Sequence, residues 1–225
     1  NIPFIPPGGA PSGTVSPVRL PLGWPGSTEP RIPAGLLSSI GLLVSVRGQN
    51  EMATGTGWVI GPGGLIITCA HVVKDSGVMF MGHGTTGFRP LQVLRVDEEL
   101  DVALCVISDY GGSDAWLPLA PVADEPEIGL DVGLIGYPLG FSLAPGETVD
   151  PTLTFGIVNS VRRQSNRLQI DAGAAPGSSG SPVFRRRDGR VVGILTGGIE
   201  HRGGMHINFA CDFRAVQRLG WFSPG

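Results

Sequence analysis

Charge is what this chain has least of. Asp, Glu, Lys and Arg supply 16% of its 225 residues, and the formal net charge is −3. With no basic excess there is no electrostatic footprint for nucleic acid. One basic cluster exists, Arg185-Arg186-Arg187, and Asp188-Gly189 follows it between the strand-like Pro182–Phe184 and Val191–Gly193. That pattern reads as a solvated hairpin turn rather than a binding patch. Cysteine is scarce too. Cys69, Cys105 and Cys211 are odd in number, lie within apolar runs and show neither a disulfide framework nor zinc-ligand spacing. Buried free thiols behave as small hydrophobes, which leans toward a reducing intracellular compartment. No apolar run is long enough to span a bilayer: the longest, residues 32–46, is broken by Pro33 and by several Ser and Gly. Long helical periodicity is absent except near the C-terminus.

Turn formers, by contrast, are abundant. Gly 36 and Pro 20 punctuate a chain that is 41% hydrophobic. Short apolar runs between such turns favour an all-β architecture, and the length suffices for one large or two small packed units. Residues 1–33 carry nine prolines and five glycines, so 1–35 reads as an extended arm or linker. The chain begins at Asn1 rather than Met, the expectation for an excised or processed piece.

From Ser39 the text becomes short strands. A first set comprises Ile40–Val46, Gly57–Ile60, Leu65–Thr68, 78–81, 91–96 and 102–107, within a unit spanning 36–108. Residues 109–130, rich in Gly, Pro and acids, read as a connection. A second unit, 131–225, holds Asp131–Gly136, Thr152–Val161, Leu168–Asp171, Pro182–Phe184, Val191–Thr196 and Met205–Ala210. A terminal helix over Asp212–Leu219 follows, with Asp212 as its N-cap. Two six-strand sets suit two small barrels. Strand counting alone equally allows one sandwich.

Three elements carry candidate chemistry. Acyl transfer by serine needs a hydroxyl on a tight turn, with backbone N–H groups aimed at the developing oxyanion. Gly177-Ser178-Ser179-Gly180 supplies such parts, although the same tetrad also occurs as a plain Ser/Gly turn. An α/β-hydrolase elbow requires Gly-x-Ser-x-Gly on a strand–turn–helix. Here position 181 is Ser, and Pro182–Phe184 continues as a strand. His71 ends an apolar strand in Thr68-Cys69-Ala70-His71. Asp101 directly precedes the apolar strand at 102–107, where a carboxylate must be paired or hydrogen-bonded. Asp97 and Asp109 are rivals that lack this placement. The chain order His71, Asp101, Ser179 is that of the chymotrypsin-type triad. His83, His201 and His206 lack metal spacing and read as structural or surface residues, and Trp58 and Phe155 read as core. Neither a metal nor a cofactor is expected.

Over roughly residues 36–220 the chain resembles the trypsin-like peptidases of the HtrA/Deg type. The matching pieces include Gly55–Ile60, Leu65–Val73, Leu100–Leu104, Ile135–Gly140, Thr154–Val161, Gly177–Val183 and Ile207–Ala210. The resemblance implies two six-stranded antiparallel β-barrels of the chymotrypsin-like type with a short C-terminal helix. It implies a serine endopeptidase acting on protein or peptide substrates, with His71, Asp101 and Ser179 as triad and the Gly177 and Ser179 N–H groups as oxyanion hole. It places the segment before Ser179, including Gly173, together with Thr196, Gly197 and Gly198, at the specificity pocket. Glycine at 173, where digestive trypsins carry an acid, disfavours Arg or Lys and favours a small or hydrophobic P1 side chain. Asp171 lies near enough to complicate this, with its direction left open.

The family often has Gly-Gly after the serine, whereas this chain has Gly180-Ser181. Position 178 is Ser rather than the Asp of secreted digestive enzymes, which removes their zymogen switch and leaves loop ordering as the route of activation. No PDZ domain follows within these residues. A homo-oligomer or a larger fused protein is compatible with the pattern. The second reading, from a different class, is a pseudopeptidase that binds peptides without cutting them.

Overall fold

A computed structural model describes residues 18–20, 34–47, 51–82, 87–107, 117–143, 149–200 and 206–224. In chain order the elements are β1 (Val18–Leu20), α1 (Ala34–Ser38), β2 (Ile40–Arg47), β3 (Glu51–Gly61), β4 (Leu65–Thr68), α2 (Ala70–Val73), β5 (Gly77–Gly82), β6 (Arg89–Asp97) and β7 (Val102–Ile107). There follow β8 (Asp131–Gly136), β9 (Thr152–Arg162), β10 (Arg167–Ile170), β11 (Pro182–Arg185), β12 (Val191–Glu200), β13 (His206–Asp212), α3 (Phe213–Arg218) and β14 (Phe222–Pro224).

Twelve of these strands close into two barrels, which rules out the single sandwich. One has the order β2-β3-β4-β7-β6-β5, the other β10-β13-β12-β11-β8-β9, and every neighbouring pair within them is antiparallel. Closure leaves no free sheet edge, so short strands suffice. The apolar runs account for the pattern: β4 is buried along its whole length, as are the last seven residues of β3 and all but one residue of β7.

The apolar core does not stop at the barrel boundary. Trp58, Ile66, Ile67 and Leu104 of the first barrel belong to one buried cluster with Ile135, Phe184, Phe213 and Val216. The Phe213 ring of α3 lies 5.8 Å from that of Trp58. Each such buried side chain contributes about 1.5–3 kcal/mol, so the seam is a packed contact. A second cluster, including Val132, Leu134, Leu168, Val183 and Ala210, fills the other barrel. The connection is stitched to both: Leu117 N–H donates to Val59 O at 3.3 Å, and Ala120 N–H donates to Val191 O at 2.9 Å.

Several elements depart from the sequence reading. β3 begins at Glu51 and β12 runs on to Glu200, because both strands extend past their buried halves. Within 1–35, read as an extended arm or linker, Val18–Leu20 pairs in parallel with Phe222–Pro224, so this part is an extended strand lying against the C-terminal segment. The one-turn α1 was not expected. Phe155 is 47% exposed rather than core, and the Arg186 guanidinium lies 4.4 Å from its ring centroid. The 185–190 hairpin forms, but Arg185 is buried, not solvated, and pairs with Asp124 at 2.9 Å and Asp188 at 2.7 Å. Asp212 caps α3 by accepting the Arg214 N–H at 3.0 Å. Asp109, His83 and His201 lie outside the described residues, as does the side chain of His206.

Candidate active site

β4 ends at Thr68, Cys69 is extended, and a single helical turn follows. Within that turn Ala70, Val72 and Val73 are buried, which leaves His71 as the side chain facing outward, about half exposed. Asp101 meets it from the start of β7. Its φ is +56°, a left-handed conformation that costs a residue with a β-carbon about 1–3 kcal/mol unless its surroundings hold it there. Two bonds hold it. His71 N–H donates to Asp101 Oδ1 at 2.9 Å, and His71 Nδ1 lies 2.7 Å from Asp101 Oδ2. A carboxylate only accepts, so Nδ1 carries the hydrogen, and in the neutral ring Nε2 keeps its lone pair. The rival Asp97 is engaged elsewhere, accepting the Leu100 N–H at 2.8 Å.

Ser179 comes from the other barrel, on the turn that leads into β11. Its carbonyl accepts the Thr56 N–H at 2.8 Å. Gly177 and Gly180 both have positive φ, +97° and +91°. A β-carbon on Gly180 would collide with Thr56 O and Thr68 Oγ1 and lie 3.3 Å from Cys69 N. The serine turn is therefore pressed directly against the segment that carries His71. Its hydrogen bonds are uneven. Ser178 N–H donates to Ala175 O at 2.9 Å, Gly180 N–H to Leu195 O at 2.8 Å and Ser181 N–H to Ser178 O at 3.0 Å. The N–H groups of Gly177 and Ser179 donate to no acceptor among the described residues. Two amides without an acceptor thus stand between paired neighbours on the serine turn.

Thr56, fully buried, organises this turn. Its Oγ1 donates to Gly177 O at 3.0 Å and accepts the Tyr137 N–H at 3.0 Å. Its carbonyl accepts from Thr68 Oγ1 at 2.8 Å. The sequence offered Thr56 only within the family-like stretch Gly55–Ile60, and nothing in its neighbours signals this bridging role.

Beneath the His–Asp pair lies Cys69, whose Sγ donates to Leu195 O at 3.1 Å. Burial pushes its thiol well above the ordinary range, and the nearby Asp101 carboxylate adds to the effect. Cys69, His71 and Asp101 bring one donor atom each within 4.8 Å of one another. The bonds just described already occupy the sulfur and the carboxylate.

Beside Ser179 opens a cavity of about 370 Å³, bounded by residues 174–176, Leu195, residues 197–199 and Asn208. Of the four residues named for a pocket, Gly197 and Gly198 line this cavity. Gly173 and Thr196 do not: Gly173 O accepts from Thr154 Oγ1 at 2.8 Å, and Thr196 Oγ1 donates to Phe209 O at 3.2 Å. Asp171 is turned to β9, where it accepts the Ile157 N–H at 2.7 Å. No charged side chain lines the cavity among the described residues.

Two antiparallel barrels, with a histidine–carboxylate pair from one set against a serine turn from the other, define the chymotrypsin-like architecture. A family model for the trypsin-like peptidase domain matches residues 55–194. The chain belongs to the trypsin-like peptidase family, in its HtrA/Deg-like branch. It is 29% identical over 181 residues to a probable periplasmic DegP-like serine endoprotease of Chlamydia pneumoniae, covering 76% of this chain and 34% of that one. It is 30% identical over 182 residues to a counterpart of the same description in Ectopseudomonas mendocina, covering 77% and 35%. The chain thus spans about a third of the length of these curated relatives. The crystal structure of the serine endoprotease from Yersinia pestis superposes with a TM-score of 0.66 at 24% identity, covering 81% of this chain and 61% of that one.

Proposed function

We propose that the chain is the catalytic portion of a serine endopeptidase that hydrolyses peptide bonds of protein substrates through Ser179. The carrying observation is the two-point His71–Asp101 pair beside a serine turn whose Gly177 and Ser179 amides have no acceptor among the described residues. In this reading His71 Nε2 takes the Ser179 proton as Oγ attacks the scissile carbonyl. The oxyanion settles on the Gly177 and Ser179 N–H groups, each worth about 3 kcal/mol in the transition state. The tetrahedral intermediate collapses as His71 returns the proton to the leaving amine. Water, deprotonated by the same ring, then releases the acyl group. Asp101 holds the Nδ1–H tautomer throughout and stabilises the imidazolium.

The cavity beside Ser179 takes the P1 side chain. Its lining by Ala174, Leu195 and Ile199, with no charged group among the described residues, favours an uncharged P1 residue, small or hydrophobic. The test is digestion of an unfolded protein by wild type and Ser179→Ala, with far-UV circular dichroism on both. Cleavage by the wild type alone supports the assignment. Equal cleavage by a folded Ser179→Ala protein refutes it.

A further inference from the structure

Asn208 lies in the cavity wall, yet the backbone register that places it there does not require a polar residue. It sits on β13 opposite Gly198 of β12, and both line the cavity that Ser179 borders. The side chain is buried, with 5% exposure. Its Nδ2 donates to Ala172 O at 2.7 Å. A backbone carbonyl can only accept, so the amide cannot be flipped: the nitrogen must face Ala172 and the oxygen must face away. That oxygen lies beside Gly198, so close that a β-carbon there would collide with it. It accepts no hydrogen bond from any described residue, and it is not among the solvent-sealed polar atoms without a partner. Asn208 Oδ1 is therefore an oriented, open acceptor in the wall of an otherwise largely apolar cavity. The glycine at 198 provides the space for it.

We infer that Asn208 is a specificity-determining residue that selects uncharged P1 side chains able to donate a hydrogen bond, such as Thr, Ser or Gln, over hydrocarbon isosteres. This rests on the peptidase reading above and revises its P1 preference, ranking donor-bearing uncharged side chains above hydrocarbons of the same size. A buried acceptor that receives no donor when substrate fills the cavity loses its solvation without replacement, and a site built this way discriminates against the analogue lacking the donor. An amide oxygen without a carboxylate partner gives no comparable advantage to Lys or Arg.

The experiment uses internally quenched peptides that differ only at P1, in the pairs Thr/Val and Gln/Met, with cleavage sites mapped by mass spectrometry. In the wild type, kcat/KM for the donor member of at least one pair exceeds that of its partner by about tenfold or more. In Asn208→Leu, which fills the space and removes the acceptor, that ratio falls to one or inverts. Turnover of both members of each pair with equal or reversed preference in the wild type overturns the inference while leaving the peptidase reading intact. This outcome does not depend on whether the variant folds. A preserved ratio in a folded Asn208→Leu protein also overturns it. If no peptide is cut and Ser179 takes no fluorophosphonate, the peptidase reading fails and the inference falls with it.

Discussion

Thr56→Val removes one hydroxyl and almost no volume, from a site with no access to solvent. The change leaves two backbone groups without partners: the Gly177 carbonyl, which loses its donor, and the Tyr137 N–H, which loses its acceptor. Each orphaned buried group costs about 1–3 kcal/mol. The added methyl offsets about 0.8 kcal/mol, so the net destabilisation is about 1–5 kcal/mol. Set against a typical domain stability of about 5–15 kcal/mol, the variant should fold. Its activity should fall further than its stability suggests, because Gly177 O and Gly177 N–H belong to one rigid turn. If the N–H swings away from the oxyanion position, kcat drops by about 10²–10³-fold, while KM, set largely by the cavity, moves little. Thr56→Ser keeps the hydroxyl and should recover most of the loss. Urea unfolding followed by steady-state kinetics on one peptide reads both effects. A Thr56→Val protein with unchanged kcat and a stability within about 0.5 kcal/mol of wild type would refute the view that this hydroxyl holds the turn.

Two further outcomes follow from the same geometry. Asp101→Asn keeps the shape but presents an N–H where a carboxylate oxygen now meets Nδ1, favouring the wrong tautomer. kcat should fall by about 10⁴-fold in a protein whose circular dichroism is unchanged, and a loss under tenfold would contradict the role given to Asp101. Burial pushes the Cys105 and Cys211 thiols up to about 12 and Cys69 well above its usual range, so at pH 8 all three are neutral and shielded in the fold. Unfolding returns them toward the ordinary value of about 8.5, so Ellman's reagent at pH 8 should find no reactive thiol in native protein and three in denaturant. Rapid reaction of a native thiol would mean that the packing around it is wrong.

Much of the architecture was legible because barrels built from short buried strands leave a local signature. Leu65–Thr68, Val102–Ile107 and Asp131–Gly136 are strands over the spans their apolar runs suggest. Their ends were harder to read where a strand continues into solvent, as β3 and β12 do, since the exposed stretches carry only isolated apolar residues such as Met52 and Ile199 and no sustained apolar run. The parallel contact of Val18–Leu20 with Phe222–Pro224 was invisible because it joins the two extremes of the chain. At the site, the motifs named His71, Asp101 and Ser179, and the structure brings His71 and Asp101 into a two-point hydrogen bond. The supporting contacts had no such signal. Thr56 reaches Gly177 across 121 residues of sequence, and Asn208 reaches Ala172 across 36. The resemblance pointed to the segment before Ser179 and to residues 196–198; the cavity is bounded by residues 174–176, Gly197 and Gly198, while Gly173 O and Thr196 Oγ1 are hydrogen-bonded to Thr154 and Phe209.

The most direct test of the account is labelling with a fluorophosphonate, read by intact mass and by peptide mapping, on wild type beside Ser179→Ala. The probe reports a nucleophilic serine and a formed oxyanion site together, without requiring the right substrate. The account predicts a single adduct on the wild type, mapped to Ser179 and absent from the variant. A folded wild type that takes no adduct, or takes it at another residue, would contradict the claim that this turn and the His71–Asp101 pair form a working catalytic centre.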